Sequence, residues 1–513
     1  MHDETYARRE ILKAAGASVA LGALTSCAAT QESPLMPAAP ASSLCFMSAT
    51  ELATLVSARE LSAREVMTAH LEQIGRLNPR INAIVAKLDD ERCLELADAA
   101  DQQGARGAPL PSLHGLPIAF KDLQAAVGFP FTRGSPIYAN DMPAEDSLLV
   151  ERLRNAGAIP IGKTNVPEFG MGSHTYNNVY GTTFNPYDLT KSAGGSSGGA
   201  GAALAAGLLP IADGSDFGGS LRNPGNFNNV VGMRPTVGLV PTMPTPFPML
   251  GFSVNGPMAR TVADVALLMS VMAGPDPRDP GCQQSDPAAF RGTLERDLRG
   301  MRVAWCPDLG GLPLDPRVRA VLETQRRTFE SLGCIVEDAY PDLREADSIF
   351  LTIRAFRSAA TYGTLLDQFR DQLKPEAVSE IEAGRALTSA AVADALVRHA
   401  QLLERMRQFQ ERYEFTLCAV NQVPPFDATL DWPKEIDGVA MEHYIAWMKS
   451  AYWISATFRP AISVPAGFTP EGLPVGIQIV GRHRDDFGVL QIAHAFEQAT
   501  RIGELRPEIA LGA

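Results

Sequence analysis

The segment that most limits how this chain can fold is Gly194-Gly195-Ser196-Ser197-Gly198-Gly199-Ala200-Gly201, which runs directly into an Ala/Leu stretch over 202–209 and apolar residues at 211–214. A flexible linker would not pass straight into a helix, and a phosphate-binding loop would need a Gly-Lys-Ser/Thr that is missing. Glycine at this density marks backbone that must come close to another group or adopt φ > 0. Around it, short apolar runs alternate with helical patterns. Residues 113–120 read as a strand with Lys121 at its end, 148–156 as a helix and 159–163 as a strand. Further on, 301–306 and 334–337 read as strands around an amphipathic helix over 317–332. Residues 376–415 are mainly helical, 461–465 and 475–481 are apolar strands, and 489–500 is a closing helix. The alternation predicts α/β construction. Before it, Ser48 and Ser62 each stand at a helix start, and Glu65 gives Ser62 the spacing of a capping box.

The chain has 513 residues, 45% of them hydrophobic, which is ample for a sizeable core. A formal charge of -13, with no compensating basic cluster, argues against a nucleic-acid partner and favours a small neutral or apolar substrate. Arg8, Arg9 and Lys13 precede a short apolar run over 14–24, too short to span a bilayer and flanked as a secretory signal is. The Arg pair resembles a twin-arginine export signal, although Ala7 and Ile11 depart from the usual polar and Phe neighbours. Leu24-Thr25-Ser26-Cys27 looks like a lipobox that would make Cys27 a lipidated N-terminus; ordinary cleavage near Ala28 or Ala29 is the alternative. The expected location is therefore the periplasm, free or membrane-anchored through Cys27. Cys45, Cys93, Cys282, Cys306, Cys334 and Cys418 lack any CxxC or zinc spacing and read as buried thiols, with one disulfide open to an oxidising compartment.

A conventional serine triad does not emerge. Gly194-Gly195-Ser196-Ser197-Gly198 fits the Gly-x-Ser-x-Gly pattern, but no strand run leads into it. His174 is the only histidine near the Gly/Ser-rich region, and it is not a convincing base. The histidines are dispersed and no HExxH occurs, so no metal site is expected. Three other segments stand in register: Gly115-Leu116-Pro117-Ile118-Ala119-Phe120-Lys121-Asp122, Gly194-Gly195-Ser196-Ser197-Gly198-Gly199, and Gly214-Ser215-Asp216-Phe217-Gly218-Gly219-Ser220-Leu221-Arg222. With Lys121 lying 75 residues before Ser196 and Ser196 lying 24 before Ser220, the set resembles the amidase signature family. Further stretches resemble it too, among them Val230-Val231-Gly232-Met233-Arg234-Pro235-Thr236 and Gly472-Leu473-Pro474-Val475-Gly476-Ile477-Gln478. The match runs from about 48 to 345 and from 452 to 505, and is thin between.

The resemblance implies one large domain with a mixed, twisted central sheet covered by helices on both faces. It implies Ser220 as acyl-enzyme nucleophile, Ser196 as a proton relay held by a cis peptide bond, and Lys121 as base. The backbone N–H groups of Phe217, Gly218, Gly219 and Ser220 would hold the oxyanion, with Ser197, Asp216 and Arg222 in support. For Asp216 and Arg222 a surface ion pair is the ordinary alternative. Phe217 departs from the small or β-branched residue common in the family, and its ring is expected either to line the pocket or to pack in the core. Met171, His174 and Tyr176 sit where relatives contact substrate, and Asn421 to Phe426 resembles a pocket-edge segment; core or loop packing is the alternative for each.

Chemistry supports these roles independently. A lysine can take a proton from a hydroxyl only when neutral, and burial lowers its pKa. A second serine can relay the proton because a hydroxyl donates and accepts at once. The expected organisation is an export segment over 1–29, a tether over 30–47, a core over 48–272 and 452–508, and a mostly helical region over 273–451 that roofs the pocket. The expected reaction is hydrolysis of small apolar, aryl or alkyl amides without a cofactor. Carbamate or ester hydrolysis by the same triad is the alternative. The export segment and acidic charge argue against membership of an amidotransferase complex, and the complete triad argues against an inactive ligand-binding lipoprotein.

Overall fold

The computed structural model describes residues 44–106 and 108–511. The export segment, Cys27 and most of the expected tether lie outside the described residues. Leu44–Phe46, placed at the tether's end by sequence, form a 3-10 turn in which Cys45 is buried. Both capping boxes are present, Ser48 with Glu51 on the Ala49–Ala58 helix and Ser62 with Glu65 on the Ala63–Ile81 helix.

Two sheets build the frame. The smaller has strands β1 (Ile84–Val85), β2 (Pro117–Lys121) and β3 (Ile159–Thr164), with β3 in the centre, parallel to β2 and antiparallel to β1. The larger has eight strands: β4 (Ile211–Asp216), β5 (Val231–Arg234), β6 (Val254–Ala259), β7 (Arg302–Trp305), β8 (Ile335–Asp338), β9 (Phe415–Ala419), β10 (Ala461–Phe468) and β11 (Pro474–Val480). Their order is β8-β7-β9-β11-β10-β5-β6-β4, parallel only across β8-β7-β9, so the sheet is mixed as expected. Helices surround the sheet, and the Val262–Met272, Pro316–Ser331 and Asp486–Thr500 helices pack into its main apolar cluster.

Strands β7, β8 and β9 all fall within 273–451, so this region is part of the sheet, and it also supplies Arg354, Arg357 and Met448 to the wall of a cavity. Strands β5, β6 and β9 are absent from the sequence reading. The sequences Val231-Gly232-Met233-Arg234 and Val254-Asn255-Gly256-Pro257-Met258-Ala259 contain Gly, Pro and polar residues that weaken a strand signal. All of them are nevertheless buried.

The Gly/Ser-rich run starts its helix earlier than the Ala/Leu pattern suggests, at Gly198 rather than near Ala202. The reason is packing. A Cβ on Gly199 would lie 2.3 Å from the Asn165 amide nitrogen and 2.6 Å from the Ala83 carbonyl oxygen, so only glycine admits this helix start against the end of β3. The same contact brings Ser196 and Ser197 to the end of β2, where Lys121 stands. Cys93, Cys306, Cys334 and Cys418 are buried and Cys282 is half-buried.

Candidate active site

Lys121 is the last residue of β2 and is fully buried. Its backbone N–H donates to Asp213 Oδ1 on β4 at 3.0 Å, which ties the end of the small sheet to the edge of the large one. Its Nζ lies 2.9 Å from Ser196 Oγ, 2.8 Å from Ser197 Oγ, 3.0 Å from Ser215 Oγ and 3.2 Å from the Ser215 carbonyl oxygen. Burial pulls this amine down to about 7, against the opposing pull of Asp213 and Asp216. Asp213 is pushed up to about 6 by burial.

Ser196 follows a cis Gly195–Ser196 peptide bond, the geometry the resemblance implies. The Gly195 carbonyl accepts from Ser173 Oγ, which in turn accepts from Asn223 Nδ2 at 2.7 Å. Ser197 N–H donates to the Ser220 carbonyl at 3.3 Å, joining the Ser196 loop to the loop that follows β4. Ser196, Ser215, Phe217, Gly218 and Ser220 line one cavity of about 400 Å³.

The loop carrying Ser220 is held from beneath by a buried ionic cluster. The Asp216 carboxylate receives Arg222 Nε and Nη2, each at 3.0 Å, and Arg234 Nη1 at 3.1 Å. Burial opposes its charge, but the two guanidiniums and the backbone donors outweigh this and hold it well below the usual carboxylate range. Asp216 and Arg222 are thus a buried support, and the surface-pair alternative is excluded. Arg222 also donates to Ala451 O, Gln478 Oε1 and Ser455 Oγ, so β11 and the Lys449–Ala456 helix fix its position.

One expectation for this loop needs correcting. Gly219 N–H is donated to Asp216 Oδ1 at 2.8 Å and so already has an acceptor. Among the described residues, the amides of Phe217, Gly218 and Ser220 have none. Gly219 has φ of 123°, and a Cβ there would stand 2.6 Å from Ala451 Cβ, so its role is to let the loop turn over the carboxylate.

The substrate-contact residues divide. Met171 lines the cavity. Phe217 does so while packing on Phe252 and Phe350 at 5.7 and 5.3 Å, satisfying both readings of its ring. Tyr176 is not part of the cavity wall: its hydroxyl donates to Glu376 Oε1 at 3.1 Å with Asp431 Oδ1 3.4 Å away, and Lys374 Nζ sits 3.4 Å from its ring centre. Asn421 and Phe426 also stay out of the wall, Phe426 packing on Trp447 and Phe227. His174 has both ring nitrogens occupied, by Ser192 Oγ at 2.7 Å and Ala428 O at 3.1 Å, and is no base for Ser196.

Several contributors escaped the sequence reading: Ser215, Asp213, Ser173, Asn223, Arg234 and the cavity arginines Arg133, Arg354 and Arg357. Of these, Ser215 and Arg234 stand within the quoted motif stretches, without a role assigned to them there.

A buried lysine thus lies against paired serines, beside a glycine loop in which the Phe217, Gly218 and Ser220 amides have no acceptor among the described residues. The Amidase family profile matches residues 65–490. An acylamidase from Rhodococcus erythropolis is 36% identical over 469 residues, 91% of this chain and 98% of the relative. A glutamyl-tRNA(Gln) amidotransferase subunit from Synechococcus sp. is 34% identical, covering 88% of this chain and 96% of the relative. The crystal structure of a bacterial aryl acylamidase superposes with a TM-score of 0.84 at 28% identity, covering 91% of this chain and 99% of the other. The chain belongs to the amidase signature family. It is an amidase, an enzyme acting on amide C–N bonds.

Proposed function

We propose that the enzyme hydrolyses small apolar, aryl or alkyl carboxylic amides through an acyl-enzyme on Ser220, with Ser196 and Lys121 as the proton relay. The observation that carries this is the contact set of Lys121 Nζ. The Ser215 carbonyl can only accept, so it takes one N–H of a neutral amine. A neighbouring serine hydroxyl takes the second, and the lone pair is left for the Ser196 O–H at 2.9 Å. Lys121 then takes the Ser196 proton as Ser196 takes that of Ser220, and Ser220 Oγ attacks the carbonyl carbon. The unpaired amides beside Ser220 face the developing oxyanion, an arrangement typically worth about 10²–10³ in rate per donor. Ser196 returns the proton to the leaving nitrogen as the C–N bond breaks, and water releases the acyl group by the same path. A carbamate or ester would pass through the same steps.

A panel of anilides, aliphatic amides, esters and carbamates, assayed with wild type beside Lys121→Ala, tests this. Amide turnover should be largely lost in the variant. Full amidase activity of Lys121→Ala at neutral pH would sink the relay.

Export belongs to the same proposal: residues 1–29 direct the enzyme to the periplasm, free or held on the membrane by lipid at Cys27. Fractionation of cells expressing wild type and Cys27→Ser tests it. A wholly cytoplasmic wild type would refute export, and an unchanged distribution in the variant would refute anchoring.

A further inference from the structure

The cavity wall contains three arginines, and only two have their charge matched. Arg133 pairs with Asp141 at 2.9 Å, and Arg354 pairs with Glu380 at 3.1 Å and donates to Tyr444 Oη at 2.6 Å. Arg357, one turn further along the Ala346–Phe369 helix, has neither a carboxylate nor a hydrogen-bond acceptor among the described residues. Its guanidinium carbon lies over two rings, 5.1 Å from the centre of Phe217 and 5.3 Å from that of Phe247. Such ring contacts attract the cation but leave its five N–H donors without a hydrogen-bond acceptor among the described residues. Asp279 is the carboxylate of the same wall, and its two oxygens already accept from the Thr242 and Gly281 amides at 2.7 and 2.8 Å.

An unmatched guanidinium on the wall of the cavity that Ser220 also lines suits a planar anion bound through two parallel hydrogen bonds. Phe217 links it to the reaction centre, since Phe217 is followed directly by Gly218, Gly219 and Ser220. Burial pulls Arg357 down to about 10, so it remains a cation at neutral pH and an anion beside it would offset that desolvation. The net charge of -13 does not forbid an anionic substrate, because exposed charges are screened beyond about 8 Å at physiological salt.

We infer that Arg357 is a specificity-determining residue that binds a carboxylate on the substrate, remote from the scissile carbonyl, so that the preferred substrates are amides bearing a free acid group. This rests on the amide hydrolysis proposed above and revises its substrate class, from apolar amides to aryl or alkyl amides that carry an acid group.

The test uses two matched pairs of amides. In one, glutaric acid monoanilide is compared with the anilide whose remote carboxylate is replaced by a methyl ketone. In the other, N-hexanoyl-4-aminobenzoate is compared with N-hexanoyl-4-aminoacetophenone. Wild type should favour the acid in at least one pair by about 10- to 100-fold in kcat/KM, the range of a charged hydrogen-bonded contact. Arg357→Met should bring that ratio close to one, and Arg357→Lys should leave part of it. No preference in either pair, or a preference that survives in Arg357→Met, would overturn the inference. Binding of the same compounds to Ser220→Ala by calorimetry separates the two proposals. Acid-selective binding without any wild-type turnover would count against the hydrolase reading and for the Arg357 subsite, whereas turnover without acid selectivity does the reverse.

Discussion

At the scale of single residues, the account turns on a lysine that is neutral when the enzyme works. Burial brings Lys121 to about 7, so kcat/KM should rise as the pH increases through about 7 and level off above it. A profile whose acid limb is centred well below 6 would argue against Lys121 as the group that titrates. Lys121→Ala should lower kcat by about 10²–10⁴ at neutral pH, the range for loss of a general base. Asp216 makes the opposite kind of prediction, one of stability. Its carboxylate is held below the usual range, so its contribution is complete above the ordinary Asp value of about 3.9 and is withdrawn as the pH falls below that. Asp216→Ala leaves Arg222 and Arg234 buried without their anion and should cost about 3–5 kcal/mol in denaturant unfolding at pH 7. A loss under 1 kcal/mol would contradict the buried-support role. Lys121, Ser196 and Ser220 were legible in the sequence because each sits in a local motif of glycines or apolar residues. For Tyr176 the sequence left substrate contact and loop packing open, because a position in a motif does not fix which way its side chain turns; its hydroxyl bonds Glu376, away from the cavity wall.

At the scale of elements, two close contacts set the site. The Gly198–Ala205 helix begins against backbone atoms of Asn165 and Ala83, which cannot rotate aside as a side chain can. Gly199→Ala should therefore destabilise the fold by at least the roughly 1–3 kcal/mol of an overpacked core, visible as a lower thermal midpoint. An unchanged midpoint would mean that the helix start is looser than described. By contrast, Ser62→Ala removes an N-cap that is not part of the cavity wall and should cost about 1 kcal/mol with kcat unaltered. The caps, most helices and the apolar strands β10 and β11 were readable because their signals are local. Strands β5 and β6 were not, since Gly, Pro and Asn break up their apolar pattern, and β9, although apolar, lies directly after the helical pattern over 376–415 that ran into its first residue.

At the scale of the whole molecule, the site is assembled from segments distant in the chain. Lys121 comes from the small sheet, Ser220 from the loop after β4, Arg222 is fixed by Gln478 on β11, and Arg357 comes from a helix in the stretch where the family resemblance is thinnest. No local pattern announces such a convergence, so the chemistry was legible and the substrate wall was not. The most direct test of the central claim is to treat the intact enzyme with a fluorophosphonate and locate the adduct by mass spectrometry of its peptides. The account predicts a single adduct on Ser220, absent in Ser220→Ala and much slower to form in Lys121→Ala. An adduct on another residue, or a folded enzyme that turns over amides yet is never labelled at Ser220, would contradict it.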